Sequence, residues 1–94
     1  MNDKAWNYYE KEIQPLVYDL MDKKMEGKYF WYEVWIDLDE RFDDEVWPVI
    51  NGLPVEAAAK YVFEWLVRRD EYYDSPKYYE MLNKLVAAAD FQPA

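Results

Sequence analysis

The sequence predicts an all-α protein: a single acidic helical domain spanning residues 1–94, folded as a small bundle of four or five helices. Three observations predict it. The C-terminal half carries apolar residues at helical spacing, and proline and glycine fall where helices would start and stop. No second strong strand exists with which a first could pair.

The first segment, Asp3 to about Glu26, reads as helix with a break at Pro15, because proline removes a backbone donor and its ring clashes with the preceding turn. Either two short helices meet there, or one begins near Pro15 and runs through Leu16, Leu20 and Met21. Lys23, Lys24 and Gly27 suit a helix C-terminus. The segment from Lys28 to Leu38 supports two readings. Phe30, Tyr32, Val34, Ile36 and Leu38 alternate as a strand would, which leaves an α+β alternative with a short strand or hairpin around residues 29–38. Trp31, Val34, Trp35 and Leu38 instead form a helical stripe. Helix is preferred, since the only other strand candidate, Val46 to Ile50, is interrupted by Pro48. Pro54 opens the next helix, with Glu56 in its first turn, a core stripe of Val55, Ala59, Val62, Phe63 and Leu66, and Arg68 and Arg69 at its end. After a turn at Tyr73-Asp74-Ser75-Pro76, a last helix to about Ala89 buries Tyr78, Leu82, Leu85, Val86 and Ala89. No internal repeat, low-complexity tract or interdomain linker is evident.

Composition narrows the chemistry. Histidine, threonine and cysteine are absent, and the one serine, Ser75, precedes a proline as a helix cap does. Nucleophilic catalysis and zinc, iron or copper binding therefore lack their usual side chains. Asp37-Leu38-Asp39 starts like a calcium loop, but Arg41 and Phe42 then fall where a ligand and the turn glycine belong. Two glycines, Gly27 and Gly52, leave no phosphate-cradling loop. No enzyme, cofactor or metal site is expected. Met1 to Glu12 lacks the apolar core of a signal peptide, and no stretch approaches the roughly 20 apolar residues of a membrane span. A cytoplasmic protein is expected, in the host cell's cytoplasm if the chain is phage-encoded.

Charge supplies the positive signal. The chain has 20 acids, 11 bases and a net charge of -9. Seven of the acids (Glu33, Asp37, Asp39, Glu40, Asp43, Asp44 and Glu45) fall between positions 33 and 45 with Arg41 as the only base. Trp31, Trp35, Phe42 and Trp47 are interleaved with them and can pin the segment to a core. On a helix, Asp37, Glu40 and Asp44 share a face that Glu33 extends, with neighbours about 5–6 Å apart. Such a row is sparser than phosphate yet close enough to occupy lysine and arginine pockets built for it. It repels nucleic acid and anionic membrane and attracts a basic protein surface. The plainer reading of the same acids is a solvated face that keeps a ring-rich protein soluble.

The compact length, the clustered acids of Glu33 to Glu45 and the missing catalytic residue types resemble small acidic anti-defence proteins of phages and mobile elements, of the DNA-mimic antirestriction and anti-CRISPR kinds. That resemblance implies a non-catalytic inhibitor that occupies the nucleic-acid-binding groove of a nuclease or CRISPR effector. Glu33, Asp37, Asp39, Glu40, Asp43, Asp44 and Glu45 would face the groove, with Trp31, Trp35 and Trp47 as anchors. Two other readings fit the same residues: an immunity protein or antitoxin neutralising a basic toxin, and an adaptor or homodimer that associates through Tyr72, Tyr73, Tyr78 and Tyr79.

Overall fold

The computed structural model describes residues 2–69. Among them all regular structure is helical and forms three helices. The first, α1, comprises Asp3–Tyr8, a wide turn at Tyr9–Ile13, and Gln14–Lys24. The second, α2, comprises Tyr32–Arg41, a second wide turn at Phe42–Val46, and Trp47–Ile50. The third, α3, is Val55–Arg69. The expected turn at 73–76, the last helix and its tyrosine patch lie outside the described residues. The α+β alternative for 29–38 is not realised, because the chain is helical from Tyr32 onward.

Helix α1 passes through Pro15 without breaking. Both wide turns are π turns: the Gln14 N–H donates to the Tyr9 carbonyl and the Trp47 N–H to the Phe42 carbonyl, each five residues back. In each case a proline follows at once, Pro15 or Pro48. Widening the turn relieves the close approach of the proline ring to the carbonyl four residues before it. The two segments are a repeat that residue types alone disguise. Tyr9, Ile13, Pro15 and Val17 correspond to Phe42, Val46, Pro48 and Ile50, each pair at the same offset.

The repeat has a packing cause. In α1 the buried residues are Ala5, Tyr9, Ile13, Val17 and Met21, followed by Met25 just past the helix. Ahead of and along α2 they are Phe30, Val34, Leu38, Phe42, Val46 and Ile50. Every step is four residues. On a regular α-helix each such step overshoots a full turn by about 40°, so four steps from Ala5 to Met21 would drift about 160° and leave the core. The extra residue of one π turn takes back about 100° of that drift, and the remaining rotation of about 60° keeps the row within the roughly 100° that a helix can bury. The same spacing explains the apparent strand. A row buried at every fourth residue, with apolar Tyr32 and Ile36 between its members, imitates alternation, yet those two are exposed.

Helix α3 closes the bundle. Its Ala58, Ala59, Val62, Phe63 and Leu66 join both rows in one core, where each large side chain contributes about 1.5–3 kcal/mol. Val55 is only half-buried at its start, and the Pro54 carbonyl accepts the first helical bond from Ala58. α1 and α2 run antiparallel: Trp6 and Tyr9 meet Phe42 near the start of α1, and Tyr18 meets Trp35 further along. α2 and α3 are antiparallel as well, since Tyr61 reaches the Glu45 carbonyl while Arg69, at the far end, reaches back to Asp37. Gly27 and Gly52 have φ of 79° and 91° in the two connections, the left-handed region that glycine enters without strain.

Candidate functional site

Four-residue spacing sorts α2 into four rows. Val34, Leu38, Phe42, Val46 and Ile50 form the buried one. Asp37, Arg41 and Glu45 flank it on the side of α3, and Trp35, Asp43 and Trp47 on the side of α1. Tyr32, Ile36, Glu40, Asp44 and Pro48 face outward, all exposed. The expected single acidic face of Asp37, Glu40 and Asp44 is therefore split: Asp37 turns toward α3, where Arg41 and Arg69 hold it, while Glu40 and Asp44 stay together on the outward row.

The α3 side of the run is neutralised internally. Arg41 donates from Nε to Asp37 at 2.7 Å and from Nη1 to Glu45 at 2.8 Å. Arg69, arriving from α3, donates from Nη2 to Glu45 at 2.7 Å and lies 3.5 Å from Asp37. Two guanidinium groups and two carboxylates close a ring across α2 and α3. The hydrogen bonds to Glu45 and Asp37 hold the Arg41 guanidinium charged far above its ordinary range. The Arg69 guanidinium also lies over the Trp65 ring, 4.1 Å from its centroid, a cation–π contact.

Asp43 serves the α1 side, where its Oδ2 accepts the Asn2 backbone N–H at 2.8 Å. Trp47 packs against Phe42 and Tyr8, with centroids 6.0 and 6.1 Å apart. Trp35 stacks on Tyr18 at 5.6 Å. Both tryptophans are half-buried, so much of their area already holds α1 to α2, whereas Trp31 caps the start of α2 and is exposed. Four of the seven acids are exposed: Glu33, Asp39, Glu40 and Asp44.

A second feature adjoins them. Tyr18, Tyr29, Tyr32 and Ile36 are exposed around the end of α1 and the start of α2. The Tyr18 and Tyr29 rings lie 5.9 Å apart, and the Tyr29 hydroxyl donates to Asp22 at 2.8 Å. That hydrogen bond to the Asp22 carboxylate raises the Tyr29 pKa above its ordinary value of 10.0. Sequence reasoning singled out neither these tyrosines nor the arginine ring. The Asp37–Arg41–Glu45 spacing of four was a readable signal for half of the ring. The reach of Arg69 across the bundle had none.

Among the described residues no group of three or more histidine, cysteine, aspartate or glutamate side chains could hold a metal ion, and no helix is long and apolar enough to cross a membrane. No protein-family model, curated protein or solved structure matches the chain.

Proposed function

We propose that this chain is a non-catalytic binding protein whose helix α2 engages a basic surface, and that its target is a nucleic-acid-binding groove of the kind found in nucleases and CRISPR effectors. One observation carries the reading: Glu33, Asp39, Glu40 and Asp44 all stand exposed along one helix of a chain with net charge -9. Glu40 and Asp44 are like charges four apart, an arrangement that costs a helix a few tenths of a kcal/mol. Folding does not need it, while a basic partner does. Asp37 and Glu45 fall out of the binding set, because Arg41 and Arg69 occupy them. The acidic field steers encounter with the partner and excludes its nucleic acid by occupying the same cations.

The test uses immobilised protein, bacterial lysate and elution by duplex DNA. The partner should be displaced by DNA and by moderate salt. Glu33→Gln, Asp39→Asn, Glu40→Gln and Asp44→Asn together should abolish capture while the melting midpoint holds or rises. Undiminished capture by that quadruple variant would sink the proposal.

A further inference from the structure

Three exposed tyrosines and the half-buried Trp35 are arranged beside the acids as a platform. Tyr18 and Trp35 stack nearly parallel, 25° apart, at the seam of α1 and α2. Tyr29 adjoins Tyr18, and Tyr32 sits one turn before Trp35 on the same helix. Tyr32 is 73% exposed and Tyr29 50%. Each helix then supplies a carboxylate four residues beyond its stacked ring: Asp22 after Tyr18, and Asp39 after Trp35. Since the helices are antiparallel, these two acids lie at opposite ends of the stacked pair. Both are exposed.

We infer that this platform of Tyr18, Tyr29, Tyr32 and Trp35, flanked by Asp22 and Asp39, docks arginine side chains of a basic protein segment. The inference rests on the reading of α2 as a face for a basic partner and names the chemistry that anchors it. A planar guanidinium stacks on a ring and offers its edge to a carboxylate at the same time, whereas an ammonium is a compact, strongly hydrated point charge. The chain uses the same combination internally, where Arg69 lies 4.1 Å from the Trp65 centroid and donates to Glu45 at 2.7 Å. A second copy of the chain is a poor occupant, because each brings a net charge of -9 to the contact. Lys23, Arg41, Arg68 and Arg69 are each engaged with other carboxylates of the chain.

The test compares an arginine oligomer with a lysine oligomer of equal length, titrated into the intact protein at about 0.15 M salt and followed by tryptophan fluorescence and calorimetry. The arginine oligomer should bind roughly five-fold more tightly. Tyr29→Ser with Tyr32→Ser should erase that preference, and Tyr32→Ser alone, at the most exposed ring, should reduce it if the double variant fails to fold. Glu40→Gln with Asp44→Asn should weaken both oligomers alike. Equal affinities, or an arginine preference that survives the ring variants, overturn the inference and leave the acidic-face reading standing. No binding of either oligomer removes both.

Discussion

Tyr9 is fully buried at the start of the first π turn, and its hydroxyl has no hydrogen-bond partner among the described residues. An orphaned buried hydroxyl costs desolvation without return, so Tyr9→Phe should stabilise the fold by about 1 kcal/mol in urea denaturation. Burial first, then the nearby Tyr18 and Glu10, push the Tyr9 pKa well above its ordinary value of 10.0. The folded state thus holds this proton more tightly than the unfolded chain does. Its contribution is complete below pH 10.0 and is lost as pH climbs toward the folded value. Between pH 10 and about 12 the wild type should lose more stability than Tyr9→Phe, and parallel losses would show that the phenol does not titrate with unfolding. Nothing in the sequence marks Tyr9. Spacing on a regular helix favoured Leu16 and Leu20, which are only partly buried, while Tyr9, Ile13 and Val17 fill the core. The arginines show the same limit. Arg68 pairs with Glu64 four residues away, which local spacing anticipates, but Arg69 joins Asp37 and Glu45 from another helix.

The helices themselves were largely legible, and their continuity was not. Pro15 read as a break in a helix and Pro48 as the interruption of a strand candidate, yet each follows a π turn inside an unbroken helix. A proline signals strain in the turn before it and does not say whether the helix stops or widens. Burial at every fourth residue decides for widening. Deleting Lys11, an exposed residue within the first π turn, should convert that turn to regular helix with the core row still inward. The deletion alone places Pro15 in an α-helical interior at a cost of about 3 kcal/mol, and adding Pro15→Ala should recover most of it. Deleting Asp19 instead, outside the π turn, turns Met21 about 100° away from the core and should cost several kcal/mol. Comparable losses for the Lys11 deletion with Pro15→Ala and for the Asp19 deletion, measured by thermal unfolding, would show that the π turn is not what sets the register.

At the scale of the whole molecule, charge acts in two opposite directions. Twenty acids against 11 bases make the folded chain repel itself, and the outward acids Glu40 and Asp44 add to that. The ring through Arg41 and Arg69 opposes it, although Arg41 is exposed and exposed ion pairs are screened by salt. Composition revealed the sign of the field but not this division, since which acids are neutralised depends on how α3 lies against α2. Repulsion acts over the entire surface and the ring at one seam, so repulsion should prevail. Raising salt from about 0.05 to 0.5 M shortens the Debye length from more than 10 Å to less than 5 Å. Over that range stability to urea should rise by about 1 kcal/mol. Affinity for a basic partner should fall over the same range, because the attraction that binds it is screened by the same ions. The two trends therefore separate folding from binding with a single variable. A fall in both would mean that the ring outweighs the repulsion, and that the acids of α2 are first of all part of the fold.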